Sequence, residues 1–437
     1  MSKIRLHGSS SGYTEIAPVA ASGNNTLTLP DDGTIISKDA AGAVGVTSIK
    51  SSNINVGAAV TITESGIEAS GIGITCANIN GGQIGGRRNK VINGAMTVSQ
   101  RNGTTAVQLS ATEQYIVDRF TNDSASSFDM KADASQSTDS PDGFSNSLKL
   151  ACDGVSTPSS IQNGAISHYI EGQDLQDLAF GTSNAKPLTL SFYAKSASQN
   201  NGHVYGVFLG AYLSGTRNAQ TRGFTITSSW QRFIMTFDGT GTVTSTAINN
   251  NRQKGIQICF SLAAGSDDQK NYATWTADSG LRGFTGQDNF FDNTSNEIYI
   301  TGVQLEVGSQ ATEFEHRSGG EELQLCKRYY QEYVNIAAVG NVPDNGSRSY
   351  SHALMFPVEM RAAPTITITN TGSSNGQVVT DAENSVYISS LLSTGVQTTG
   401  ATISFYLTGD LTNYRGAYLT STASTTNQTT YKLSAEL

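Results

Sequence analysis

The sequence predicts an all-β, elongated trimer with a β-rich N-terminal segment, a jelly-roll β-sandwich, a short linking helix and a C-terminal β-sandwich. Three observations lead there. Charged residues make up only 14% of the 437 residues, against roughly a quarter in a typical domain. Glycine is abundant, at 45 residues, and proline scarce, at 8. With Ser, Thr and Asn in place of Lys and Glu, that composition suits short strands joined by tight turns. Apolar residues also alternate with polar ones in segment after segment, the period of a half-buried strand.

Residues 1–86 contain one aromatic, Tyr13. Short strands are predicted at 3–6, 13–16, 26–29, 34–37, 59–63 and 71–75. Asp32-Gly33 after Pro30 marks a tight turn between two of them. Ile4, Leu6, Leu27, Leu29, Ile67, Ile72 and Ile74 are too few large side chains for a core of their own. Three copies sharing one axis would bury them together. The run Ile4-Arg5-Leu6, then Ser11-Gly12-Tyr13-Thr14-Glu15, then Asn24-Asn25-Thr26-Leu27-Thr28-Leu29-Pro30 resembles the starts of tail-fibre proteins of marine, cyanophage-like bacteriophages. Val60-Thr61-Ile62-Thr63-Glu64-Ser65-Gly66-Ile67 is similar to their repetitive shafts. The resemblance implies a homotrimer whose N-terminus attaches to a phage tail or adaptor protein.

The composition changes after Gly81-Gly82 and Gly85-Gly86. Residues 87–317 are predicted as the jelly roll, with strands at 147–150, 188–194, 204–209, 223–226, 231–237, 255–262 and 297–306. Asn93-Gly94, Asp142-Gly143, Asp153-Gly154, Asn201-Gly202 and Asp238-Gly239 supply turns. One apolar and one polar face per strand means two packed antiparallel sheets. In order along this stretch stand Asn89 to Met96, Ser229-Trp230-Gln231-Arg232, Ile300 through Gly308, and Thr312-Glu313-Phe314-Glu315. They resemble the carbohydrate-binding-module-like jelly roll of phage tail fibres and appendages. That likeness implies a glycan-binding fold without identifying the glycan.

Ser318-Gly319-Gly320-Glu321 reads as a capping box. It predicts a linking helix over 318–333, with Leu323, Cys326 and Tyr330 on one stripe. Residues 334–437 alternate again and are predicted as a second, smaller β-sandwich. Val358-Glu359-Met360-Arg361-Ala362-Ala363-Pro364-Thr365 resembles a recurrent phrase of phage fibre tip domains.

The net charge of −9 and pI near 5.1 argue against a sequence-independent nucleic-acid binder. The cluster Arg87, Arg88 and Lys90 reads as a solvated hinge. No apolar run reaches a membrane span of about 18 residues. Residues 1–6 hold no signal-peptide core, so the expectation is a chain made in a host cytoplasm and carried outside on a virion. Cys76, Cys152, Cys259 and Cys326 lie far apart in sequence and read as reduced, mostly buried thiols.

No phosphate loop, HExxH or Gly-x-Ser-x-Gly elbow occurs. His7, His168, His203, His316 and His352 are isolated. No catalytic residue, metal or cofactor is therefore expected. Asp288 and Asp292 with Asn289 and Asn293 offer oxygen ligands for calcium, but not at EF-hand spacing.

Sugars present apolar C–H faces beside hydroxyls, so their sites pair aromatics with amide and acid side chains. The stretch 272–293 carries that mixture: Trp275, Phe284, Gln287, Asp288, Phe290 and Phe291 are the candidate glycan contacts. Trp230, at the start of an amphipathic strand, is expected in the core. The reading is a non-enzymatic virion fibre that binds a host surface polysaccharide. The alternatives are a fibre-borne depolymerase and a capsid-mounted decoration without host recognition.

Overall fold

A computed structural model describes residues 4–7, 13–16, 60–63, 66–69, 87–214, 216–334, 336–342, 349–369, 377–380, 385–411, 416–421 and 430–437. The chain divides into two units, Met1–Cys76 and Ala77–Leu437. In the first, Ile4–His7 pairs antiparallel with Tyr13–Ile16, and Val60–Thr63 with Gly66–Ala69. The strands expected at 26–29, 34–37 and 71–75 lie outside the described residues.

The second unit opens with the jelly-roll sandwich. A seven-stranded sheet runs in the order Thr276–Ala277, Thr216–Thr225, Val204–Leu213, Lys254–Ala264, Asn163–Glu171, Phe120–Ala125, Tyr115–Val117. A six-stranded sheet runs Gln231–Phe237, Leu188–Ser196, Glu297–Val307, Ser147–Cys152, Ala132–Ser137, Val107–Gln108. Period-two alternation turns Leu188, Leu190, Phe192 and Ala194 of one sheet toward Val207, Leu209, Ile256, Ile258 and Phe260 of the other, forming one core. Phe192 and Phe260 meet edge-on at 4.9 Å across it.

The motif at residues 89–96 laces along Glu297–Val307. Lys90 N–H donates to the Leu305 carbonyl, and Val303 N–H to that of Gly94, both at 2.9 Å. A Cβ on Gly94 would meet the Val303 oxygen at 2.1 Å, so only glycine admits this approach. Thr312 N–H donates to Glu306 Oε1 at 2.8 Å. These motifs are scaffold.

The helix differs from its prediction. Ser318 Oγ does accept from Glu321 N–H as the capping box requires, but the helix covers only Gly319–Lys327. Tyr330–Val334, expected as helix up to Tyr333, is a strand paired with Thr430–Ser434. Its aromatic and β-branched residues lose less side-chain freedom in a sheet than in a helix.

Beyond the helix, Tyr330–Val334, Thr430–Ser434 and Thr365–Thr369 form a three-stranded sheet. Ala338–Asn341, Ser349–Met355, Gly400–Leu407, Ser385–Val396, Gln377–Thr380 and Gly416–Ser421 close into a barrel, the last pairing back to the first. The predicted alternation is present; closure removes the sheet edges that an open sandwich would expose. This module is locked to the jelly roll. Arg119, 1% exposed, stacks 3.5 Å over the Tyr329 ring and ion-pairs with Glu436 near the C-terminus. Glu171 accepts from Arg328 Nε at 2.7 Å and from Tyr329 Oη at 2.6 Å.

Candidate functional site

Strand alternation leaves the outer face of the six-stranded sheet to Tyr193 and Lys195, to Arg232 and Ile234, to Tyr299 and to Lys149. Tyr193 pairs with Arg232 on one side and Thr301 on the other; Lys195 pairs with Tyr299. Trp230 precedes the edge strand Gln231–Phe237 and stands in phase with Arg232 and Ile234, opposite to the core residues Phe233, Met235 and Phe237. It is half-exposed, not buried as the sequence reading expected.

Trp230 and Tyr193, with Ser140, Pro141 and Asp142, line a pocket of 470 Å³. The aromatic floor is braced from behind. Phe144 lies 5.3 Å from Tyr193 and 5.0 Å from Phe314. Gly302 makes that bracing possible. It sits in a bulge opposite Phe192 with φ +61°, and a Cβ there would fall 2.8 Å from Phe144 and 2.9 Å from Tyr193.

Two ion pairs stand on the same sheet face, one of them bonded to Trp230. Lys195 Nζ reaches Asp139 Oδ2 at 2.5 Å, and Trp230 Nε1–H donates to Asp139 Oδ1 at 3.2 Å. Lys149 Nζ meets Glu297 at 2.7 Å, and Tyr299 Oη donates to Glu297 at 2.8 Å. Lys195 Nζ also lies 4.8 Å from the Tyr299 ring centre and 5.6 Å from that of Trp230. Partial burial alone would raise the Asp139 carboxyl; hydrogen bonds from Lys195 and Trp230 outweigh it and hold the group below its usual range. Glu297 is held low in the same way by Lys149 and Tyr299. The arrangement is a ring platform edged by fixed donors and carboxylate acceptors.

The residues singled out from sequence lie elsewhere. Trp275 is 2% exposed, packs edge-on to Phe180 at 5.7 Å and donates Nε1–H to the Asp238 carbonyl at 2.7 Å. Phe290 and Phe291 are fully buried in the main core. Phe284 presses on the outer face of the seven-stranded sheet, where a Cβ at Gly223 would strike its ring at 2.4 Å. Gln287 is buried and its Oε1 accepts from Phe284 N–H at 2.8 Å. Asp288, exposed, accepts from Val204 N–H at 2.7 Å. The loop is packing, so Trp275, Phe290 and Phe291 have no free ring face for a ligand. Its sequence has the composition of a sugar site because a loop that covers a sheet also needs aromatics and amide caps.

Asn289 Oδ1 accepts from Phe291 N–H, Asn293 Oδ1 from Ser295 N–H and Asp292 Oδ1 from Asn296 Nδ2. Among the described residues, no group of three or more His, Cys, Asp or Glu side chains converges as a metal site. Cys152, Cys259 and Cys326 are buried free thiols. No helix among the described residues is long and apolar enough to cross a membrane.

No family model matches the chain, and no curated protein matches it. Among solved structures it is similar to the family 11 carbohydrate-binding module of a cellulosomal cellulase of Clostridium thermocellum, at 11% identity over 48% of this chain and 99% of that one, with a TM-score of 0.25. A putative sugar binding protein from Bacteroides thetaiotaomicron matches at 10% identity over 50% and 100%, with a TM-score of 0.28. The enzymatically active domain of tailspike protein 4 of bacteriophage CBA120 matches at 12% identity over 50% of this chain and 21% of that one, with a TM-score of 0.26. Likeness at this level carries no argument about function.

Proposed function

We propose that this chain is a homotrimeric virion fibre that attaches to a phage tail by its N-terminal segment and binds a host surface polysaccharide without cutting it. The observation that carries the binding is the half-exposed Trp230 standing with Tyr193 over an open pocket, edged by Lys195 and Asp139. The half-exposed indole offers a ring face, and a sugar ring offers the C–H face that stacks on it. Binding without hydrolysis fits the carboxylates. A glycosidase needs one carboxyl with a raised proton affinity to act as acid. Asp139 and Glu297 are both held low. The N-terminal resemblance to tail-fibre starts supports mounting on a particle and trimerisation.

Weak sites suffice in such a fibre. A millimolar contact is worth about 4 kcal/mol, and linking three on a repetitive polymer raises avidity by roughly 10²–10⁴. The test is to incubate purified protein with host surface polysaccharide, measuring retention, reducing-end release and native mass together. Retention without release, at the mass of a trimer, is the expected result. Release of sugar by pure protein would establish a depolymerase instead. A stable monomer at micromolar concentration would remove the trimeric fibre from the account.

A further inference from the structure

The wall of the Trp230 pocket carries one charge that its surroundings do not answer. Three cations flank the pocket, and each has a carboxylate: Lys195 has Asp139, Lys149 has Glu297, and Arg232 has Glu313 at 3.7 Å. Asp142 is the carboxylate left over. It is exposed, lines the 470 Å³ pocket together with Trp230 and Tyr193, and makes no ion pair or hydrogen bond among the described residues. The turn that carries it is tied down on both sides. Ser147 Oγ donates to the Asp139 carbonyl at 2.5 Å, Phe144 N–H to the Pro141 carbonyl at 3.1 Å and Ser140 Oγ to the Phe144 carbonyl at 2.7 Å. Asp142 is thus presented at the pocket by a fixed backbone, and its charge is the net charge of the site.

The rings favour the same sign of ligand. Trp230 and Tyr299 stand edge-on at 6.3 Å, and Lys195 Nζ lies 5.6 Å from the first ring centre and 4.8 Å from the second. Arg232 lies 6.0 Å from the centre of Tyr193. The platform already takes the protein's own cations against its rings, as the negative face of an aromatic ring does. A neutral sugar on this platform would use the rings and leave Asp142 to water. An acidic sugar would set its own carboxylate against Asp142. A sugar with a protonated amine uses both features: its C–H face lies on the indole, and its ammonium makes a charge-assisted hydrogen bond to Asp142.

We propose that the Trp230 pocket takes an amino sugar with a free, protonated amine, which Asp142 holds against the Trp230 and Tyr193 rings. This rests on the reading of the platform as a glycan site and adds the charge of the sugar. The test is calorimetric titration of the full-length protein with two tetrasaccharides of one backbone, glucosamine and N-acetylglucosamine, at about pH 6, where the free amine carries its proton. Wild type should bind the glucosamine form about fivefold more tightly, the scale of one exposed charge pair with a cation–π contact. The preference should shrink when salt is raised to about 0.5 M. Asp142→Asn should bring the ratio to within about twofold, at a wild-type melting temperature. Asp267→Asn removes the same charge from the turn after Lys254–Ala264, on the other sheet, and should keep the wild-type ratio. An equal loss of preference in Asp267→Asn would mean attraction by the acidic protein as a whole and would overturn the proposal. If wild type binds the N-acetyl form as tightly or more so, and Trp230→Ala weakens both, the amine is overturned while the glycan site stands. If the preference for the amine survives Trp230→Ala undiminished, the rings are not part of the site and the pocket is overturned with them. Binding of neither tetrasaccharide would overturn the amino sugar and leave the platform to be judged on host polysaccharide.

Discussion

The Trp230 indole donates its N–H to Asp139 Oδ1 at 3.2 Å while Lys195 holds the other oxygen of the same carboxylate at 2.5 Å. The ring is thereby pinned at the surface by its polar edge. A ligand meeting it need not pay the full entropic cost of ordering a free side chain.

Trp275→Ala should act on stability. The ring is 2% exposed and seals the sandwich against Phe180. Losing a buried aromatic costs about 3–5 kcal/mol, a drop of roughly 10 °C in a melt. Polysaccharide retention measured well below the melt should match wild type.

Glu436→Gln should loosen the C-terminal module. It removes the charge paired with Arg119, which is 1% exposed, and with Arg101 at 2.9 Å. Leaving a buried cation uncompensated costs about 3–5 kcal/mol. Limited proteolysis should then cut the tip residues at protease levels the wild type resists, and Arg119→Met on the same background should restore part of the resistance.

Acid should destabilise the barrel through His352. The ring lies 3% exposed between Tyr350 and Phe405, with Tyr431 at its edge, and neither nitrogen has a hydrogen-bond partner among the described residues. Burial lowers its proton affinity from 6.5 to about 4. The unfolded chain takes up the proton first as pH falls. The stability is therefore complete above about pH 6.5 and is lost on the way down to about pH 4, a change of about 3 kcal/mol. His168, also lowered by burial, adds in the same direction. Urea unfolding at pH 7 and pH 4 should show a smaller difference for His352→Phe than for wild type.

The fold class was legible because composition and period-two alternation act over many residues. The strand Asn163–Glu171 was missed because it is buried on both faces. Its Ser167 and Glu171 find hydrogen-bond partners within the protein and are buried with the apolar residues, so no alternation marks it. The helix was overextended because a stripe at Cys326 and Tyr330 fits both a helix and a helix followed by a strand. Burial was read the wrong way round at both tryptophans. For Trp230 the signal was present: Phe233, Met235 and Phe237 set the inward phase, and Trp230 falls outside it. For Trp275 no local pattern existed, since its burial comes from Phe180 and the Asp238 carbonyl, both distant in sequence.

The most direct test of the account is the affinity of the full-length protein for host surface polysaccharide, wild type against Trp230→Ala, by titration calorimetry. The account predicts that Trp230→Ala folds with an unchanged melting temperature and binds about tenfold more weakly, the loss of one stacked ring and its polar edge. Binding by Trp230→Ala as tight as that of wild type would contradict it.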